Sequence, residues 1–226
     1  MSIDPVSLAF AAGKSFLLVL ATLLPILNPA ATAPIFLGLT EGASESTRRV
    51  LARQIAINMV LLITGAMLVG SYVLDTFGIS LPIVRVAGGS IIAANAWRLL
   101  AVSPSARDSR QSLADAFTPE MARTHAFYPL TFPISCGPGS LAAAITIGVA
   151  LHEQQLALSL ARFAGGFRGL VVIGLVMFVA FRYARQLLKP LGDTGTTVFL
   201  RLSAFILLCL GVQIVWDGLS ELLRSL

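Results

Sequence analysis

Apolar residues along this chain fall into six long blocks separated by short polar stretches. The blocks lie at about residues 7–27, 50–74, 79–101, 125–151, 156–181 and 197–223. A helix of about 20 apolar residues crosses the hydrocarbon core of a bilayer, which is roughly 30 Å thick. None of the blocks alternates strictly between apolar and polar residues, as the strands of a membrane barrel do. The pattern therefore predicts an all-α polytopic membrane protein with six transmembrane helices.

The composition of the chain agrees with this prediction. Hydrophobic residues make up 56% of the 226 residues and charged residues only 12%, whereas soluble domains carry about a quarter charged residues. So few charges could not cover a water-soluble surface. The first block follows no basic segment and precedes no small-residue cleavage site, so we expect it to remain as a helix rather than be removed as a signal peptide.

Basic residues are concentrated in the connections after the first, third and fifth blocks. They are Arg48, Arg49, Arg53, Arg98, Arg107, Arg110, Arg123, Arg182, Arg185 and Lys189. By the positive-inside rule these connections are cytoplasmic, which places both termini on the outer face of the membrane. The basic residues form no long run interleaved with aromatic residues, so the net charge of +5 does not indicate nucleic-acid binding.

A polar stretch divides the chain into two similar halves. Residues 102–124 are predicted to be a cytoplasmic linker between one three-span repeat at 1–101 and a second at 125–226. Short segments recur in the same order in both halves: LPILNPA resembles PISCGPG, and DTFG before Arg85 resembles DTG before Arg201. Because three spans is an odd number, the second half enters the membrane in the opposite sense. This predicts an inverted repeat, an arrangement typical of transporters, although a duplication relic without transport is the alternative.

Closely spaced prolines interrupt the first and fourth predicted helices. They are Pro25, Pro29 and Pro34 in the first half and Pro129, Pro133 and Pro138 in the second. Each proline removes a backbone donor and clashes with the preceding helical turn, so we expect both helices to be discontinuous. Lipid cannot satisfy the freed backbone groups, and a break at membrane depth must therefore face protein or a polar cavity.

The residues beside the two breaks are the candidate substrate-binding residues. They are Asn28, Pro29, Thr32 and Pro34 in the first half and Ser135, Gly137, Pro138, Gly139 and Ser140 in the second. Freed helix N-termini suit a carboxylate and freed C-terminal carbonyls suit an ammonium, so a small zwitterion would match both. The alternative is that the prolines only kink packed helices, with Ser and Thr bonding to their own backbone.

Charged and small residues inside the spans carry weaker indications. Arg85 and Arg201 lie in the first turns of the third span of each half; helix-end anchoring is the favoured interpretation, and a gating or substrate-charge role is the alternative. We expect Asp75 and Asp193 as their interfacial partners. The pairs Gly88–Gly89 and Gly165–Gly166 are expected to permit close helix approach.

The chain contains no HExxH, CxxC, GxSxG or Walker motif. We therefore predict no catalytic residue, no metal site and no cofactor, and we do not expect an enzyme.

Several segments match the signature of a known family. They are the run Asn28–Thr40, which fits NPx4PxFxxLT, DTFGIS at 75–80, RVAGG at 85–89, YPL at 128–130, GPG at 137–139 and GVQ at 211–213. In these segments the chain resembles the MarC/SnatA family of integral membrane proteins, which is distantly similar to LysE-type exporters, and the resemblance covers essentially the whole chain. Ser135–Cys136 before Gly137 is a minor departure from the family pattern.

The resemblance implies a protein of the cytoplasmic (inner) membrane with six spans. Some family members are associated with transport of small neutral amino acids such as alanine and glycine. Combined with the helix breaks, this predicts a secondary transporter that moves such a solute by alternating access around a midplane site. A channel and a non-transporting membrane scaffold are the alternatives. The predicted partners are the solute and membrane lipid; a proton or sodium coupling ion and a homo-oligomer are left open.

Overall fold

The computed structural model of the protein describes residues 4–40, 43–101 and 126–224, and every regular element in these ranges is helical. The long helices are α1 (Pro5–Leu27), α2 (Pro29–Leu39), α3 (Glu45–Thr76), α4 (Leu81–Ala101), α5 (Pro138–Leu151), α6 (Leu156–Arg182) and α8 (Gly192–Arg224). A kinked helical segment, Ala126–Ser135, precedes α5, and the short helix α7 (Ala184–Leu188) with a 3-10 turn at Lys189–Leu191 joins α6 to α8. The predicted all-α class is confirmed, and the predicted linker at 102–124 lies outside the described residues.

Five helices of the described chain are long and apolar enough to cross a membrane by themselves. They are α1, α3, α4, α6 and the part of α8 from Thr194 to Arg224. The kinked segment and α5 pass the same test only together, with a bend of 73° between them. The structure therefore supports five to six spans, where the sequence pattern predicted six.

Polar caps explain why several helices extend beyond the apolar blocks. The side chain of Asp4 accepts a hydrogen bond from Val6 N (3.2 Å), and Ser44 Oγ accepts one from Thr47 N (3.1 Å), which fixes the starts of α1 and α3. The block at 50–74 thus underestimates α3, which has 32 residues. At 1.5 Å per residue α3 is about 48 Å long, so its polar first turns reach beyond the hydrocarbon core.

Glycine residues allow the closest helix contacts. A Cβ added at Gly165 would overlap the backbone of Ala12, and one at Gly169 would lie 2.9 Å from Phe16 O, so α6 packs directly on α1. A Cβ at Gly89 would lie 2.8 Å from Gly211 O, which brings α4 equally close to α8. The expected role of Gly88–Gly89 and Gly165–Gly166 is confirmed.

The interior of the bundle is one apolar cluster to which both halves contribute. Its fully buried side chains include Leu23, Leu51, Ile55, Met59, Leu130, Leu151, Ile173 and Phe181. Helix α5 packs against α1, α3 and α4, whereas α2 packs against α6, α8 and the kinked segment. Large apolar side chains also cover the outside of the bundle, as contact with lipid requires.

Candidate functional site

The first helix break is a single residue, Asn28. Its backbone is left-handed (φ 45°, ψ 66°), a conformation that asparagine tolerates better than most residues with a Cβ. Asn28 N donates to Leu24 O (3.1 Å) and ends α1, while Asn28 Oδ1 accepts from Ala31 N (3.1 Å) and caps α2. Pro29 takes the first position of α2, where a backbone donor is not needed. The break therefore follows from two adjacent residues.

The prolines on either side of this break do not interrupt their own helices. Pro25 lies inside α1 and Pro34 lies inside α2. A helix accommodates a proline when packing against its neighbours compensates for the lost hydrogen bond, and both helices contribute residues to the buried core. Of the closely spaced prolines Pro25, Pro29 and Pro34, only Pro29, after the left-handed Asn28, stands at a break.

The second break extends over ten residues and bends the chain sharply. Within the kinked segment the backbone is extended at Tyr128 (φ −121°, ψ 124°) and at Phe132 (φ −117°, ψ 124°), and the Phe132–Pro133 peptide is cis. Cys136 N donates to Thr131 O at 2.8 Å, a wider loop than the α-helical one. Gly137 then precedes α5 with an extended backbone (φ −86°, ψ 178°) and no side-chain cap.

Most hydroxyl groups beside the breaks bond to their own backbone. Thr32 Oγ1 donates to Asn28 O (3.0 Å), Thr131 Oγ1 to Ala126 O (2.6 Å) and Ser135 Oγ to Leu130 O (2.7 Å). Local bonding of this kind is what the kink interpretation expects. The hydroxyl of Ser140 differs, because it forms no hydrogen bond within the described part of the chain. Ser140 is therefore the polar side chain at the breaks that is most readily available to a ligand.

Backbone amides without an acceptor provide further polar groups at the two breaks. In α2 and α5 the second residue, Ala30 or Gly139, follows a proline, and its N–H has no acceptor among the described residues. Such amides carry the positive end of the helix dipole. Each break thus offers at least one free donor at a helix N-terminus.

The helical segments that flank the two breaks pack against one another. Helix α1, before the first break, packs against α5, and the kinked segment, before the second break, packs against α2. Asn28, Thr32, Ser135 and Ser140 are each at most 9% exposed. Gly139 is also buried, Pro29, Pro34 and Gly137 are half-buried, and Pro138 is exposed. No side-chain hydrogen bond connects one break with the other in the described ranges.

The two arginines of the third spans form no hydrogen bond or ion pair with the described residues of either break. Arg85 forms an ion pair with Glu221, so the partner is on α8 and not the expected Asp75. The close contact between Gly218 and Pro82 O brings the end of α8 beside the start of α4, which explains the pairing. Arg201 is exposed and forms no ion pair within the described residues. The side chain of its expected partner Asp193 lies outside them.

Some polar residues of the spans were missed by the sequence analysis. Arg168 is exposed near the middle of α6, where a charge in hydrocarbon costs a few kcal/mol. On α3, the buried atoms Gln54 Oε1 and Thr64 Oγ1 have no hydrogen-bond partner among the described residues. The signal in each case is a polar residue inside an apolar block.

Comparison with known proteins supports the resemblance seen in the sequence. The profile of the MarC family integral membrane proteins matches residues 13–223. This chain belongs to the MarC family. The MarC relatives named "UPF0056 inner membrane protein MarC" from Escherichia coli K12 and from Shigella flexneri are both 28% identical to it over 214 residues, which is 94% of this chain and 97% of theirs. No solved structure matches it.

Proposed function

We propose that this MarC-family protein is a secondary transporter of a small neutral amino acid of the alanine or glycine class. The solute would bind between the two helix breaks, and alternating access around that site would carry it across the cytoplasmic membrane. The observation that carries the proposal is the crossed packing of the helical segments that flank the breaks: α1 packs against α5, and the kinked segment packs against α2. A site formed in this way draws on both halves of the protein.

The packing of the helices supports an inverted repeat. If α2, α3 and α4 correspond to α5, α6 and α8, and α1 corresponds to the kinked segment, each main contact has a counterpart. The contact of α1 with α6 matches that of the kinked segment with α3, and the contacts of α5 with α3 and α4 match those of α2 with α6 and α8. The contacts α3–α6 and α4–α8 each join two helices that correspond to one another, so exchanging the two halves leaves these contacts unchanged. Inverted repeats with discontinuous helices are typical of secondary transporters.

The chemistry of the breaks favours a small solute without net charge. The free amides of Ala30 and Gly139 suit a carboxylate, and the hydroxyl of Ser140 offers a neutral hydrogen bond. The charge of Arg85 is balanced by Glu221 in an ion pair that joins α4 to α8. Space is also limited, because a Cβ at Gly139 would lie 3.0 Å from Gly88 O.

Counterflow in proteoliposomes tests this proposal. Purified protein in vesicles preloaded with unlabelled alanine or glycine is expected to accumulate the labelled amino acid with saturation, and Ser140→Ala is expected to raise the half-saturating concentration. Ser220→Ala is a matched control, since this half-buried serine bonds to Trp216 O on α8. Flux that does not saturate and is accompanied by single-channel currents would indicate a pore. Flux equal to that of empty vesicles under every ion gradient would contradict transport and favour a non-transporting membrane scaffold.

The proposed orientation in the membrane also assigns positions to the charged residues of the spans. We place the basic connections on the cytoplasmic side, with both termini outside. The Arg85–Glu221 pair would then lie near the outer ends of α4 and α8 and act as a helix-end clamp, with Arg201 at the opposite end of α8. A proton or sodium gradient is the expected driving force, to be identified by imposing each in turn.

A further inference from the structure

A groove of about 370 Å³ runs between α3 and α6 on the outer surface of the bundle. Its walls include Arg53, Ile57 and Leu61 of α3 and Val171, Leu175 and Phe178 of α6. Gly174 forms its floor: a Cβ there would lie 2.7 Å from Val60 Cγ2, so the two helices meet at this point. The groove therefore owes its depth to the missing side chain of Gly174.

The groove faces the lipid. Leu61 is 65% exposed and Leu175 is 60% exposed, although both lie within apolar spans. From Arg53 to Leu61 the wall follows eight residues of α3, or about 12 Å. An apolar depression of this kind in a membrane protein suits a lipid acyl chain, because Arg53 is the one lining residue with a polar side chain and it lies at one end.

The two helices run antiparallel, which gathers basic residues at one end of the groove. Met67 of α3 lies beside Gly166 and Val60 lies beside Gly174, so α6 residue numbers fall as those of α3 rise. Continuing this register toward the start of α3 and the end of α6 places Arg182 at the level of Arg53. It is also one turn beyond the lining residue Phe178, on the same face of α6.

Arg49 adds a third guanidinium at this end, one turn before Arg53 on the same face of α3. Glu45, a further turn away from the groove, offsets one of these charges. Arg182 lies with its guanidinium 5.3 Å from the centre of the Tyr183 ring, which holds it at the end of α6. The end of the groove is therefore basic while its length is apolar.

We propose that this groove binds one anionic phospholipid, with an acyl chain between α3 and α6 and the phosphate at Arg53. A guanidinium matches the oxygens of a phosphate with paired hydrogen bonds, which a point charge does not provide. The basic end is formed by the start of α3 and the end of α6, whose connections we place in the cytoplasm, so the lipid belongs to the cytoplasmic leaflet. The proposal is independent of any transported solute.

Lipid binding to the delipidated, purified protein tests the proposal. Titration with phosphatidylglycerol in mixed micelles, followed by native mass spectrometry and by the apparent melting temperature, is expected to show one tightly bound lipid and a rise in melting temperature. Phosphatidylcholine is expected to bind more weakly. Arg53→Gln is expected to weaken phosphatidylglycerol binding about five-fold, and Arg53→Lys less. Arg98→Gln, which removes an exposed arginine at the end of α4, is the matched control and should leave the tight site intact.

Filling the groove provides a second test that does not alter charge. Ile57→Trp adds bulk at a 46% exposed position and is expected to displace the acyl chain without disturbing the core. Equal binding of the two lipids, or equal effects of Arg53→Gln and Arg98→Gln, would overturn the proposal. A change from monomer to dimer with rising protein concentration that is lost in Ile57→Trp would also overturn it. The groove would then be an interface between two copies of the chain.

Discussion

Both helix breaks lie directly before a proline that begins the next helix, but their backbone conformations differ. The first is one left-handed residue, Asn28, between two regular helices, and its amide side chain caps the helix that follows. The second uses a ten-residue kinked segment with two extended residues and a bend of 73° before α5. The first break is therefore set locally by Asn28, whereas the second also involves close packing of Gly139 against α4.

Gly139→Val should produce the largest effect, because it tests the packing of the second break. Its Cβ would overlap Ile92 Cγ1 and approach the backbone of Gly88. Overpacking of a close contact costs about 3 kcal/mol at the upper end, so we expect a markedly lower melting temperature in detergent. The matched control is Gly38→Ala in α2, where an added Cβ meets nothing within 4 Å. Equal melting temperatures for the two variants would mean that α5 does not pack against α4 as described.

Asn28→Ala tests the local character of the first break. The variant loses the cap on α2 and places a residue of lower left-handed propensity at φ 45°, for a combined cost of about 2 kcal/mol. Asn28→Gly keeps the backbone conformation and should cost only a few tenths of a kcal/mol. The free energy of unfolding from chemical denaturation would separate them. If Asn28→Gly destabilises as much as Asn28→Ala, the side chain has a role beyond the backbone turn.

Ser140→Ala tests whether the second break contributes to solute binding. The hydroxyl of Ser140 forms no hydrogen bond in the described chain, so its loss should barely change stability while weakening solute binding by about 1 kcal/mol, or roughly five-fold. Thr32→Val removes a hydroxyl that is bonded to Asn28 O at 3.0 Å, and should act on stability instead. Counterflow and thermal unfolding of both variants check this contrast. A stability loss in Ser140→Ala with unchanged transport would reverse the assignment.

Gly137→Ala should have the smallest effect. The backbone at Gly137 is extended, with φ −86°, and an added Cβ would lie 3.3 Å from Pro133 O, a contact that a small shift relieves. We expect a change within about 0.5 kcal/mol in the free energy of unfolding. The contrast with Asn28→Ala is the measurement of interest, since the two residues hold equivalent positions before a proline. A loss as large as that of Asn28→Ala would show that both breaks depend on backbone conformation.

Much of the fold could be predicted because its causes are local or compositional. Apolar blocks of sufficient length predict helices that cross a membrane, and a proline after an asparagine predicts a helix end at Asn28. Membership of the MarC family also follows from motifs along the chain. One difference from the sequence pattern has a local cause too, because polar caps lengthened α3 beyond its apolar block.

Residues close together in the chain are enough to specify an all-α membrane protein of the MarC family with a helix break before Pro29, because backbone sterics and hydrophobic length act between near neighbours. The pairing of Arg85 with Glu221, 136 residues away, and the contact of Gly139 with Gly88 could be seen only in the folded bundle. The same is true of the groove with a basic end that Gly174 opens. These features depend on the relative position and direction of distant helices, which close packing of whole helix surfaces sets and no short segment encodes.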